Sequence, residues 1–216
     1  MYSKCLLTVG LAFALALGAC KDPTKDKPKA EVTSAIPAAS GQAATPTGAT
    51  ETLTLNPQNS KVEFVGSKVT GSHDGKLNQF SGTVQLNGDK PETSKIDLSI
   101  DMTSFETDTP KLTTHLKSAD FFDVEKYPKA TFTSTEITPG GAAGATHTIK
   151  GNLTLRGVTK GISFPATVSV KADEVTAKSE FSINRKDFNI NYAGKADDLI
   201  KDQVLVKLDI RAPRKK

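Results

Sequence analysis

Tryptophan is absent from this chain, and cysteine is nearly so, with only Cys5 and Cys20 present. Cys5 falls inside an apolar leader, so a domain folded from the remainder has no second thiol and must be held by its core rather than by a disulfide. Histidine is almost as scarce: His73, His115 and His147 each stand alone in their segments, without the paired spacing of a metal site. The acidic groups Asp120, Asp123, Glu125 and Asp197, Asp198, Asp202 lack the regular oxygen-ligand spacing of a calcium loop. There is no Gly-x-Ser-x-Gly and no phosphate-binding loop, so no residue set offers a starting point for catalysis, and no enzyme, cofactor or metal is expected. Charge of one sign is also missing. The formal net charge is only +4, and apart from the run from Arg211 to Lys216 the lysines alternate with acids. A nucleic-acid binder presents a basic face with interleaved aromatics, and none is found here. With thirteen aromatics and no Trp, the chain also lacks the material for the aromatic girdles of a membrane-spanning barrel.

What is present begins with a leader. Lys4 precedes an almost unbroken apolar run from Leu6 to Leu17, and Gly18 and Ala19 supply small residues before Cys20. The run is too short to span a bilayer and reads as an export signal over residues 1–19. The four residues Leu17-Gly-Ala-Cys20 resemble the lipobox of bacterial lipoproteins. That resemblance implies cleavage before Cys20 and lipid attachment to its sulfur, which also disposes of a lone thiol in an oxidising compartment. By the sorting rule for such lipoproteins, Lys21 rather than Asp after the cysteine favours the outer membrane, so the expected location is the periplasmic face of a Gram-negative membrane. Residues 20–50 follow as Ala, Pro, Thr, Lys and Ser with few large apolar side chains. Such a segment buries too little to offset its ordering entropy, and it is expected to be a disordered tether averaging about 30 Å end to end. Residues 51–212 form the expected domain, and 213–216 a solvated basic tail.

From Thr50 onward apolar residues recur with period two. Phe80, Gly82, Val84 and Leu86 alternate with polar residues, as do Ile96, Leu98, Ile100 and Met102. The same holds for Ile149 to Leu155, Ile162 to Val170, Val175 to Ile183 and Val204 to Ile210. With Val62/Phe64 and Ala130/Phe132 there are eight runs, each with one apolar and one polar face, which is the pattern of antiparallel strands wet on one side. Asn87-Gly88-Asp89, Gly140 to Gly144 and Lys171 to Glu174 are turn material between them. Thr109 is placed to cap a helix starting at Pro110, with Leu112 and Leu116 one turn apart. A second helical turn is expected over Ala196–Ile200, with Asp197 and Asp198 in its first turn. Asp120 reads as the cap of a further short turn, His115 as a structural hydrogen-bonding residue, and His147 as a surface residue after a glycine-rich turn. The expected fold is therefore all-β, eight antiparallel strands closed as a barrel or stacked as a sandwich, with one or two short helical connections. A closed barrel of eight strands has no edge strands and is filled by side chains or holds one small ligand. Small residues in the inward rows, Gly82, Gly151, Ala166, Ala177 and Ser179, favour room inside.

The stretch His115-Leu-Lys-Ser-Ala-Asp-Phe-Phe-Asp-Val-Glu-Lys-Tyr-Pro128, followed by Ala130 to Ser134, resembles the YceI-like family of exported bacterial proteins. So do Gly151-Asn-Leu-Thr-Leu-Arg-Gly-Val-Thr-Lys160, Phe181 to Phe188 and the closing Val204 to Leu208, and the likeness extends from about Thr52 to Arg211. It implies an eight-stranded antiparallel lipocalin-like barrel with an apolar tunnel for a polyisoprenoid or similar lipid. Three positions depart from the family pattern. Asn59 stands where a His usually precedes Ser60-Lys-Val-Glu-Phe64, Lys68 replaces a second His, and Leu112-Thr113 replaces Arg-Asp.

Core packing explains any one inward aromatic. Taken with the resemblance, the set Phe64, Phe80, Leu98, Ile100, Phe132, Leu153, Phe164 and Phe181 is expected to form a lipid-facing wall, with Phe121 and Phe122 plugging or lining one end. The alternative is a structural or stress-related surface lipoprotein whose interior is filled by its own side chains. If Cys20 carries the anchor, Cys20→Ala releases the protein from membranes without unfolding it, as fractionation and circular dichroism will show.

Overall fold

A computed structural model gives the fold of residues 22–37 and 49–214. The leader, Cys20 and the end of the basic tail lie outside the described residues.

Fourteen strands are formed among the described residues. They are β1 (Glu31–Ser34), β2 (Thr50–Leu55), β3 (Lys61–Ser67), β4 (Ser72–Leu77), β5 (Phe80–Asn87), β6 (Lys90–Asp101) and β7 (Phe105–Thr107). After the helix α1 (Pro110–Lys117) come β8 (Lys129–Pro139), β9 (His147–Leu155), β10 (Val158–Val170) and β11 (Glu174–Asn184). The short β12 (Gly194–Lys195) and β13 (Asp198–Leu199) precede β14 (Gln203–Pro213). The eight alternating runs are β3, β5, β6, β8, β9, β10, β11 and β14. Their antiparallel pairing follows from the tight Asn87–Lys90 and Lys171–Glu174 connections.

The fold differs from the expected closed barrel. The main sheet has twelve strands in the order β2-β5-β6-β8-β9-β10-β11-β14-β3-β4-β7, with β1 attached to β10. It curls into a half-barrel, and the ends of the path, β2 and β7, are not bonded to each other. The strand β2 approaches β14 without forming a ladder with it. Six strands exceed the expected number because β1, β2, β4, β7, β12 and β13 are short, and most carry too little apolar alternation to read.

Alternate residues of the long strands meet on the concave face in three clusters. One lies at the end bearing α1, where Val62, Phe80, Ile100, Met102, Phe105, Val124 and Ala130 pack with Phe64 and Phe122. A middle cluster holds Phe132, Ile149, Ile162, Phe164, Phe181, Ile183 and Phe188. The third, at the end carrying the Asn87–Lys90 and Lys171–Glu174 hairpins, holds Leu53, Leu55, Val84, Leu86, Val175 and Ala212.

Several local expectations are corrected. Thr109 is the N-cap residue and Pro110 follows it, but the Thr109 side chain makes no cap. Its hydroxyl instead donates to Asp108 at 3.3 Å. Residues 196–200 are not helical: β12 and β13 form a hairpin there. Tertiary contacts override the helical composition, since Asp198 accepts from the Lys68 ammonium and from the Thr70 hydroxyl at 2.9 Å. The Lys68 bond also lowers the Asp198 pKa. Asp202 pairs with Arg185, a buried guanidinium that also donates to the Ile190 carbonyl at 2.7 Å and the Lys201 carbonyl at 3.2 Å. The basic tail is tied down at Arg214, which donates to Glu51 and Asp89, each at 2.8 Å. The Glu51 bond is the main reason the Arg214 pKa is raised.

The largest correction concerns residues 22–37, expected in the disordered tether. They run as a strap against the sheet. Glu31–Ser34 pair with Lys160–Ser163 of β10, and Lys29 bridges to Ser182 of β11. Asp22 accepts from Lys201 at 2.9 Å, a bond that with the Thr24 amide and hydroxyl pulls the Asp22 carboxyl down to about 2. Few apolar residues are needed because the strap takes its hydrogen bonds from strand edges already in place.

Phe105 is fully buried, and edge-to-face with Phe64 at 6.1 Å and Phe122 at 5.4 Å between ring centres it closes the α1 end. Phe105→Ala is expected to cost about 3–5 kcal/mol of stability, to be measured by equilibrium unfolding in urea.

Candidate functional site

One glycine and three phenylalanines determine where the interior is full and where it is empty. Gly151 and Phe132 are near neighbours across β8 and β9, and a Cβ built on Gly151 would lie 2.5 Å from the Phe132 ring. The ring therefore lies flat over the glycine, so the room expected at Gly151 is already taken. Phe132 meets Phe164 at 5.8 Å, and Phe164 stacks on Phe181 at 4.3 Å with planes 13° apart. This stack lies along the concave side of β8, β10 and β11 and forms the floor of the space beside it.

On the hairpin side of that floor lies an apolar cavity of about 90 Å³. Its walls come from Val84 and Leu86 of β5, Ile96 and Leu98 of β6, Ile137 and Ile149 of β8 and β9, and Ala166, Val168 and Val170 of β10. Val175, Ala177 and Ser179 of β11, Leu208, Ile210 and Ala212 of β14 and Leu55 of β2 complete them. The only polar side chains in the lining are Ser94 and Ser179. Both hydroxyls donate to backbone carbonyls, Ser94 to Lys90 at 2.8 Å and Ser179 to Pro165. No ionisable side chain lines the cavity. It can hold apolar groups and has nothing with which to activate them.

Of the ten wall residues expected from the sequence, Leu98, Phe132 and Phe164 line this cavity. Phe181 lies beneath Phe164, and Leu153 packs on the same middle cluster. Phe64, Phe80, Ile100 and Phe122 belong to the cluster that closes the α1 end. Phe121 is buried elsewhere, against His115 at 5.0 Å and Tyr192 at 5.1 Å. Of the small inward residues, Ala166, Ala177 and Ser179 border the void.

Charged pairs surround the hairpin end. Arg214 joins Glu51 and Asp89 there, and His147 lies 3.2 Å from Glu92, next in sequence to the lining residue Pro91. His147 is not the surface residue expected after a glycine-rich turn; its side chain is only 12 % exposed. The Glu92 carboxyl is held below its usual range by its own backbone amide, with His147 adding to the effect. The other histidines also face single carboxylates: His73 meets Asp108 at 2.9 Å, and His115 meets Asp120 at 3.0 Å. Asp120 thus serves His115 rather than capping a turn. Among the described residues no three His, Cys, Asp or Glu are placed to hold a metal ion. Sequence reasoning missed Arg156, which donates to the Ala119 carbonyl at 2.8 Å and to that of Asn189, tying two loops at the α1 end. The available signal was the Arg156-Gly157 pair between two alternating runs, a turn in which Arg156 takes a left-handed backbone, φ 49°.

Comparison with known proteins agrees with this architecture. The sequence pattern of the YceI-like domain matches residues 53–212. The chain belongs to the YceI-like family. It is 37 % identical over 122 residues to a UPF0312 protein of Pectobacterium atrosepticum and 36 % identical over 122 residues to Protein YceI of Escherichia coli O157:H7. Each match takes in 54 % of this chain and 62 % of the relative, so the aligned part spans less than two thirds of either relative's length. The crystal structure of Burkholderia cenocepacia BcnA is 26 % identical, with a TM-score of 0.60 over 71 % of this chain and 96 % of that one. A polyisoprenoid-binding domain from Saccharophagus degradans shares the fold with a TM-score of 0.60 at 18 % identity, over 77 % of this chain and all of its own.

If the void is the site, filling it will abolish binding without unfolding the protein. Ala166→Leu is expected to cost no more than about 1–3 kcal/mol of stability and to eliminate xenon binding, read by xenon NMR.

Proposed function

We propose that this protein is a non-catalytic binder of an apolar, isoprenoid-type lipid, held at the periplasmic face of the outer membrane by an acylated Cys20. The observation that carries the binding reading is the cavity, walled by aliphatic and phenylalanine side chains, with both hydroxyls committed to the backbone. Family membership and a structural neighbour that binds polyisoprenoids support the same ligand class. Energy does not set the chain length. Each buried methylene is worth about 0.8 kcal/mol, so an isoprene unit contributes about 3–4 before association costs. An amphiphile would rest its polar group among the ion pairs of the hairpin end.

Anchoring through Cys20 rests on the lipobox-like Leu17-Gly-Ala-Cys20, and sorting on Lys21. Asp22, two residues on, is bonded to Lys201. An anchor at Cys20 would be two residues in sequence from the ordered Asp22 rather than separated from it by a long tether.

A second reading has its own support. Apolar cavities of about 150 Å³ take up a benzene, and this void is smaller, at about 90 Å³. A side-chain-filled interior in a structural surface lipoprotein is the corresponding function. Mass spectrometry of organic extracts from protein purified without added lipid separates the two. Recovery of an isoprenoid-type lipid is expected; protein that is repeatedly empty and takes up neither isoprenoid nor fatty-acid probes overturns the binding reading.

A further inference from the structure

The strands β10 and β11 are hydrogen-bonded to each other over only part of their length. Their ladder joins Thr167–Val170 to Val175–Lys178 and stops there, although β11 pairs with β14 along its whole length. Pro165, which has no N–H to donate, lies just beyond the last paired residue of β10. Towards the α1 end the two strands diverge, leaving a wedge-shaped slot in the wall of the half-barrel.

The strap fills that slot. On one side Glu31–Ser34 pair with β10. On the other, the Ala30 amide donates to the Ser182 carbonyl at 2.9 Å and the Ser182 amide to the Pro28 carbonyl at 2.8 Å. Inward, only Ala30 and Val32 pack on the middle cluster that contains Phe164 and Phe181. The middle cluster, with the Phe164–Phe181 stack in it, thus lies between the slot and the cavity.

Two clamps flank this stretch: Ile36 exchanges two bonds of 2.8 Å with the Asn152 side-chain amide, and Lys27 pairs with Glu180. Between them the strap's apolar contribution is Ala30 and Val32, and its backbone bonds can be exchanged for water when that stretch lifts. At Ser182, whose backbone the strap bonds, the hydroxyl is buried without a hydrogen-bond partner, an unfavourable state. The cavity is too small for a prenyl chain of several units. The α1 end is blocked by Phe64, Phe105 and Phe122, and the hairpin end is ringed with charge. Among the described residues one apolar way onward from the cavity leads past Phe164 and Phe181 into the slot, and the unladdered seam between β2 and β14, beside Leu55 and Ala212, is another.

We propose that the slot between β10 and β11 is a lateral extension of the binding site for a long apolar chain, occupied in the empty protein by Ala30 and Val32, which the chain displaces. This rests on the lipid-binding reading above. The strap is then a competitor built into the chain, and ligand length decides whether it is expelled.

The test uses the full chain with Cys5 and Cys20 replaced by Ser and with Glu31→Cys and Ser163→Cys added, a facing pair across β1 and β10. Oxidation fixes the strap and reduction frees it. A third variant, Gly161→Ala, loosens it, because a Cβ there would lie 2.6 Å from the Thr33 hydroxyl and 2.8 Å from the Ser34 carbonyl. Prenol, a single isoprene unit, is expected to bind the oxidised and reduced forms alike, read by NMR. A four-unit prenol carrying a fluorophore is expected to enter the reduced form at least tenfold faster than the oxidised one, and to enter Gly161→Ala several-fold faster than the parent. Equal uptake of the long prenol by oxidised and reduced protein overturns the slot, as does its refusal by both while prenol still binds. Failure of prenol itself to bind any form removes the binding reading, and the slot with it.

Discussion

Phe164 lies face to face with Phe181 and in contact with Phe132, which rests on Gly151, and the rest of the interior depends on this arrangement. A curled sheet has one concave face to bury, and this chain has no Trp with which to fill it. The Phe132 ring turned flat over Gly151 covers the backbone there, and the three rings tie β8, β10 and β11 together along one stretch of the wall. What lies on either side then differs in kind. Towards α1 the aromatic set of Phe64, Phe105 and Phe122 completes a solid core. Towards the hairpins the inward positions are Ala, Val, Leu and Ile, which line a space rather than close it.

The long strands were legible because each needs only period-two alternation over seven or more residues, a pattern the backbone geometry itself imposes. Leu53 and Leu55 of β2 alternate with Thr in the same way and could have been read, but two apolar residues beside a Pro/Thr-rich stretch gave a weak signal. The strand β4, with Ser72-His-Asp-Gly-Lys-Leu77, carries no such pattern; it is held by its ladder with β3. Ala196-Asp-Asp-Leu-Ile200 has the composition of a helix and is a hairpin, because Gly194 takes a left-handed turn and Asp198 is drawn to Lys68 and Thr70 from another part of the chain. Local preference lost there to partners more than a hundred residues away.

The site was legible in part, for a related reason. Alternation shows which residues face inward and says nothing of how far along the axis each one sits. Phe80 and Phe132 look alike in sequence, yet one belongs to the closed end and the other to the cavity floor. The difference arises from what stands opposite each ring, which is set by register between strands distant in sequence. Small residues are similarly ambiguous. Gly151 and Ala166 both remove volume, but a ring from the neighbouring strand reclaims it at Gly151, whereas at Ala166 none does.

The strap shows how far composition misleads when a partner is waiting. Residues 22–37 have the makeup of a disordered segment, and on their own they bury too little to fold. They are ordered because β10 and β11 separate beyond Thr167 and Lys178 and leave backbone donors and acceptors in a wall that is otherwise paired. Four residues of strand, the side chains of Ala30 and Val32, and the paired bonds between Ile36 and the Asn152 amide satisfy that edge. A segment recruited for its backbone rather than its side chains has little apolar area to surrender, which is why it can cover an apolar interior and still be exchanged for a better occupant.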